Sequence, residues 1–148
     1  PSMRWYPHVT VAAIVERDGR FLFVEEDKGH GPVLNQPAGH LEDDETIPAA
    51  VEREVLEETG WTVAAQALVG IYRWRNPGNG ETFLRFCLAC TPLAHDAQRR
   101  LDDGILRALW LSPDELCAHR LRSPLVRPCL DDWLAGERLP LALLRTIG

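Results

Sequence analysis

Glu54, Glu57 and Glu58 stand within five consecutive positions, with Arg53 beside them and Glu45 a short way upstream. The stretch that holds them reads as a helix. Pro48 suits a first turn, Thr46 or Asp44 can cap the start, and Gly60 suits the left-handed position just past the end. With Ile47 at zero and about 100° per residue, Glu57, Glu54 and Glu58 fall within an arc of about 100° that Ile47, Ala50 and Val51 share or border. Negative charge is thus set beside positions that call for burial. Glu54 and Glu58 form an i,i+4 like-charge pair, which costs a few tenths of a kcal/mol on an exposed helix and more in a low dielectric. Packed carboxylates need protons, an Arg or Lys, or a cation. Arg53 is the one base inside the cluster, and it can pair with Glu57. A hard divalent cation takes oxygen ligands, and Mg²⁺ keeps waters and bridges to substrate phosphates. The plainer reading is a solvated, charge-laced helix.

The spacing decides between them. From Gly39 to Trp61 the chain resembles the Nudix box, G-x5-E-x7-R-E-U-x-E-E-x-G-U with U apolar. It reads Gly39, Glu45, Arg53, Glu54, Val55, Glu57, Glu58, Gly60, Trp61, and all seven fixed identities match. Such agreement arises by chance about once in 10⁸ to 10⁹ windows. Trp61 is apolar but larger than the usual aliphatic. Other pieces, Pro7–Val11, Asn35–Glu42, Phe83–Phe86 and Leu121–Val126, resemble a bacterial branch of the family. That branch releases inorganic phosphate from nucleoside di- and triphosphates and from the thiamine precursor hydroxymethylpyrimidine pyrophosphate. The likeness spans residues 7 to 140 and is weakest over 95 to 104.

The resemblance implies an α/β/α sandwich with a mixed sheet and the box folded as loop–helix–loop. It implies Mg²⁺, with Mn²⁺ an alternative, since both favour oxygen ligands. Carried over from the box, Glu54, Glu57 and Glu58 are expected as metal ligands, the Ala38 carbonyl as another, and Glu54 or Glu58 as base. Arg53 is expected to orient the carboxylates with Glu45 as its partner, and Gly39 and Gly60 to serve shape. In some relatives a carboxylate outside the box is the base; Asp102 or Asp103 would take that part, and a solvated loop charge is the alternative. Arg85 and Lys28 are candidates for substrate phosphates and Trp74 for stacking on a base. Against these stand a structural ion pair for Arg85, a plain connecting loop for Lys28 and a core position for Trp74. Two other functions stay open: a pyrophosphohydrolase cutting between the α and β phosphates, as in nucleotide sanitation, and a silent module that senses a nucleotide. The complete carboxylate set argues against the silent module.

Positioning these groups falls to the surrounding elements. His8–Glu16 and Arg20–Glu26 read as strands around an Asp18-Gly19 turn. Asp27–Pro32 reads as a Gly-rich loop and Gly39–Asp44 as an acidic loop. Thr62–Arg75 and Thr82–Thr91 flank the turn-rich Asn76–Gly80, as a long hairpin would, with Tyr72 and Trp74 on one face and Arg73 and Arg75 on the other. A polar loop over 95–104 leads to a strand at Ile105–Leu111. Ser112 and Glu115 carry a capping signature for a helix to about His119, and Pro124–Ala135 suggests another. The apolar tail from Leu139 is unassigned. Strands, helix, strands, helix fit a mixed sheet between helices.

The 148 residues suit one domain, expected over 3–148, with Pro1-Ser2 a cloning scar before a native start at Met3. A net charge of −6 argues against binding nucleic-acid polymers but not against a small phosphate ligand, here a nucleotide or a pyrimidine diphosphate. Neither a membrane-length apolar run nor a signal-peptide pattern is present, so the expected setting is cytoplasmic, as a monomer or homodimer. Cys87 and Cys90 have C-x-x-C spacing, but in a strand residues three apart point to opposite faces, so reduced core thiols are expected. His8, His40, His95 and His119 lack metal spacing and read as structural or surface residues.

Overall fold

The computed structural model describes residues 4–148, so the expected scar and the start at Met3 lie outside the described residues. The first two strands, β1 (His8–Arg17) and β2 (Arg20–Glu26), meet through Asp18 and Gly19. Both turn residues take positive φ, 53° and 78°, as a tight two-residue hairpin requires. Only Glu16 and Arg17 of β1 pair with β2. Beyond them β1 takes a different neighbour, β4 (Ala38–His40), while β2 pairs with β3 (Val33–Asn35). The two strands therefore diverge, and a cleft opens between them.

The helix α1 spans Ile47–Thr59. Thr46 caps it by accepting from the Ala49 N–H, Pro48 sits in the first turn, and Gly60 closes it at φ 78°. Two long strands follow, β5 (Trp61–Arg75) and β6 (Thr82–His95), then β7 (Ile105–Leu111). Two short helices come next, α2 (Pro113–Leu116) and α3 (Val126–Leu134). The strand order is β3-β2-β1-β6-β5-β8, with β4 also on β1 and β7 on β2, and β8 being Leu139–Pro140. The β1–β6 pairing is parallel and the other strand pairings are antiparallel.

Alternation along β1 sorts the core into two layers. Val11, Ala13 and Val15 pack with Ala50, Val51 and Val55 of α1 on one face. Ala12 and Ile14 pack with Val126, Cys129 and Leu130 of α3 on the other. A helix on each face of a mixed sheet is the expected α/β/α sandwich. Cys87 and Cys90 fall in opposite layers, and all four cysteines are free. Among the described residues no helix is long and apolar enough to cross a membrane.

Four expectations need correction. The loop expected from Gly39 begins as β4, because Gly39 pairs with Val11 and His40 with Thr10; strand propensity in Ala-Gly-His is weak, and the neighbour supplies the order. The strand expected to end at Thr91 runs on to His95 because β5 continues beside it. The helix expected to reach His119 stops at Leu116, although its capping box forms in full. The unassigned tail contributes β8, which pairs with Ala67 and Leu68, and a 3-10 turn at Leu141–Leu143.

Candidate active site

Arg53 is the hub of the acidic helix. Its Nε and Nη2 donate to the two oxygens of Glu45 at 2.8 and 2.7 Å, the fork geometry that a guanidinium offers a carboxylate. Its Nη1 donates to Glu54 at 2.6 Å and Glu57 at 2.9 Å, and Nη2 also reaches the His40 carbonyl at 3.1 Å. Hydrogen bonding from Arg53 holds the Glu45 carboxyl below the usual range, and Glu45 in turn is the largest influence raising the pKa of Arg53. Glu45 also accepts from the Glu42 N–H at 2.9 Å, which ties the entry loop to the hub.

Glu54 and Glu58 are buried. Burial pushes both carboxyl groups up, Glu54 against the pull of Arg53 and Glu58 to about 8. Glu58 accepts from the Ala38 N–H at 2.9 Å, which opposes its shift, while Glu54, Glu26 and Asp102 add to it. A Cβ built on Gly39 would overlap the Glu54 carboxylate, so the glycine is there for the close approach of β4 to α1.

The donor set fits a hard cation. Glu54, Glu57 and Asp102 each place one carboxylate oxygen within 4.8 Å of the other two, and an all-oxygen set selects Mg²⁺- or Mn²⁺-like ions. Asp102 comes from the loop after β6, which docks on the helix end through the Asp102 N–H to the Glu57 carbonyl at 3.1 Å. Burial and Glu57 raise the Asp102 pKa. Asp103 is exposed and pairs with Arg100 at 3.8 Å. Glu58 stands outside the three-carboxylate group, on the β4 side. Ala13 donates to the Pro37 carbonyl and Leu41 to that of Val9, so residues 37 and 41 turn their backbone toward β1. Ala38, one step out of phase, turns away from β1 and gives its N–H to Glu58.

Beside Glu58 lies the cleft, about 330 Å³, walled by β1, β2, β3, β4, β5 and β6. Arg85, Lys28 and Trp74 all line it, as do Ala38 and Glu58. The ion pair weighed for Arg85 does not form. Its buried guanidinium donates to the neutral amides of Gln36 at 2.9 Å and Asn35 at 3.1 Å, and its Nε has no partner among the described residues. Trp74 is half-buried and faces the cleft rather than the core. His40, expected as a structural or surface residue, also lines it; burial, then His8 and Lys28, lowers its pKa. Several polar residues of the wall escaped the sequence reading, Glu26, Asn35, Glu81 and Arg122 among them, with Glu26 and Arg122 paired at 3.1 Å, and so did Gln36, which holds Arg85 from behind the wall. Asn35 and Gln36 sit next to the box, and Arg122 lies in one of the matching segments, but nothing in residue type singles them out.

A carboxylate helix hung on one arginine, beside a cleft whose wall sets Lys28, Arg85 and Arg122 among its acids, suits a hydrolase of small phosphate compounds. The Nudix domain profile matches residues 6–133, and the chain belongs to the Nudix hydrolase family. It is 40% identical over 145 residues to Phosphatase NudJ of Escherichia coli K12, covering 93% of this chain and 90% of that protein. A NUDIX hydrolase from Nitrosomonas europaea superimposes with a TM-score of 0.93 at 48% identity, over 96% of this chain and 98% of the other. An ADP-ribose pyrophosphatase from Streptococcus suis, 22% identical with a TM-score of 0.71 over 90% and 93% of the two chains, shares the fold alone. Nudix hydrolases use divalent metal ions and act on small nucleotide-like substrates, in keeping with the acidic cluster.

Proposed function

We propose that this Nudix hydrolase, acting as one domain over residues 3–148, removes inorganic phosphate from nucleoside di- and triphosphates and from hydroxymethylpyrimidine pyrophosphate, with Mg²⁺ as its ion and Mn²⁺ a substitute. The observation that carries this reading is the buried guanidinium of Arg85, without a carboxylate partner, in the cleft that Glu58 also lines. A buried positive charge held by neutral amides is incomplete until an anion arrives. The identity to Phosphatase NudJ supports the phosphatase sense.

Phosphoryl transfer is chiefly positioning and charge neutralisation. Glu54, Glu57, Glu58 and the Ala38 carbonyl would hold the divalent ion, with Asp102 in reach; when bound, the ion neutralises phosphate charge and lowers the pKa of water. Arg53 keeps Glu54 and Glu57 in one arrangement, and Glu45 keeps Arg53 in place. Glu54, Glu58 or Asp102 accepts the proton as the water oxygen bonds to phosphorus and the bridging P–O bond breaks toward the leaving phosphate. Arg85 grips substrate phosphate, Lys28 assists from its loop, and Trp74 takes the heterocycle.

A colorimetric phosphate assay tests this, run with and without added inorganic pyrophosphatase. Phosphate should appear without it. Phosphate seen only when pyrophosphatase is added would replace this reading with pyrophosphohydrolysis. Glu57→Gln and Glu58→Gln should each cost at least ~10²-fold in turnover with the fold kept.

A further inference from the structure

The β5–β6 ladder carries more than Trp74 and Arg85. Its register is regular from Ile71 to Arg75, so cross-strand partners share a face: Tyr72 with Arg85, then Trp74 with Phe83. The next step in phase is Asn76 with Glu81, joined where the Asn76 N–H donates to the Glu81 carbonyl at 2.8 Å. One face of one ladder thus presents a phosphate grip, then an aromatic pair, then a polar pair. Four residues of strand at about 3.4 Å each separate Arg85 from Glu81 by roughly 14 Å, the length scale of an extended nucleoside diphosphate. Arg85, Phe83, Trp74, Glu81 and Asn76 all line the cleft.

The polar pair is fixed in place. Asn76 Oδ1 accepts from the Gly78 N–H at 2.9 Å, and the Gly80 N–H closes on the Asn76 carbonyl at 2.8 Å. The Asn76 amide therefore spends its oxygen on the turn and leaves its NH₂ as a donor. Glu81 Oε2 faces the His8 ring at 3.4 Å and the Asn79 amide at 3.3 Å, while Oε1 has no partner among the described residues. Side by side stand an acceptor that cannot donate and a donor that cannot accept.

We propose that Glu81 and Asn76 read the edge of the substrate heterocycle and select one bearing an exocyclic amine next to an unprotonated ring nitrogen. This rests on the nucleotide hydrolase reading above. Adenine, cytosine and a 4-aminopyrimidine present that pattern: the amine donates to Glu81, and the ring nitrogen accepts from Asn76. Hypoxanthine and uracil present the inverse, a carbonyl oxygen and a ring N–H, and so set oxygen against carboxylate. The ring plane lies along the wall that Trp74 and Phe83 form at a centroid separation of 5.8 Å.

The test is phosphate release from ADP against IDP and from CDP against UDP, each pair differing in the amino or oxo group and the adjoining ring N–H. The native protein should favour the amino member of each pair about tenfold in kcat/KM, the low end for a hydrogen bond to a charged group because Glu81 is half-exposed. Glu81→Gln, whose amide can turn to suit either edge, and Glu81→Ala should bring both ratios near unity with Tm unchanged. Asn76→Asp keeps the turn oxygen, loses the donor and should lower ADP and CDP turnover. Equal rates in the native protein, or ratios that survive Glu81→Ala, would overturn the proposal. If no nucleotide is hydrolysed, it is the hydrolase reading that falls. Calorimetric titration of ADP and IDP in Mg²⁺ then decides the recognition question: tighter ADP binding supports it, and equal or absent binding ends it.

Discussion

At Gly39 the demand for glycine is spatial. Its φ is not among the positive values, and it pairs regularly with Val11 in β4. What a side chain would meet there is the carboxylate of Glu54. Gly39→Ala should therefore leave the strand intact and push Glu54 off its bond with Arg53. The damage belongs to activity: kcat/KM should drop on the order of 10²-fold, as for an ångström-scale misplacement of a reacting group, while Tm moves by only a few degrees. Phosphate-release kinetics and calorimetry on the same variant measure both; a Tm collapse with normal turnover per folded molecule would show the glycine to serve folding instead. Arg53→Lys asks a related question. The ammonium keeps the charge but not the fork that engages Glu45 twice and Glu54, Glu57 and the His40 carbonyl besides. Turnover should fall by at least ~10-fold through loss of those charge-assisted bonds.

The elements show where sequence is informative. The α1 helix, with its Thr46 cap, Pro48 and Gly60, could be read in advance because each end carries a residue with a local mechanism. So could β2 and β7, whose apolar runs stop at turn residues. The strands β3 and β4 could not, since three residues each gain order from β2 and β1 rather than from themselves. The box likewise announced Glu54, Glu57 and Glu58, whereas the cleft wall depends on which strands meet. Gln36 illustrates the difference. Between β3 and β4, buried, it donates to the Val126 carbonyl at the start of α3 at 2.7 Å and accepts from Arg85 of β6 at 2.9 Å. Three elements meet on one amide that no motif flags. Gln36→Leu keeps the volume and strands both partners, so unfolding free energy should fall by about 1–3 kcal/mol. On the phosphate-binding role proposed for Arg85, KM should rise more than kcat falls, because the guanidinium loses its bearing. Chemical denaturation with a kinetic split tests it; unchanged stability would mean the cleft rehydrates those groups at no cost.

Across the whole molecule, an acidic chain of net charge −6 buries further acid where an anionic substrate must come. At Glu58 the fold tolerates this by favouring the protonated carboxyl. Burial lifts Glu58 from an ordinary 4.5 to about 8, and Glu54 and Asp102 shift the same way, while Glu45 shifts down. The sign follows from proton counts. Between pH 4.5 and about 8 the folded Glu58 holds a proton that the unfolded chain has released. Stability of the ion-free protein must therefore decline as pH rises through that window. The Glu45 contribution runs oppositely, present at neutral pH and lost toward acid. A divalent cation takes the place of the proton, so its benefit should grow with pH. With EDTA, Tm should fall from pH 6 to pH 9. With Mg²⁺ at ~100 times its Kd, the gain is about 2.7 kcal/mol, or roughly 5–10 °C for a chain of this size, and the slope should flatten. Glu58→Gln, neutral at every pH, should lose most of the slope and much of the Mg²⁺ gain together. A Tm that ignores Mg²⁺ and Mn²⁺ at pH 8.5 would separate the buried acids from any ion, leaving the cluster as structure without its cofactor.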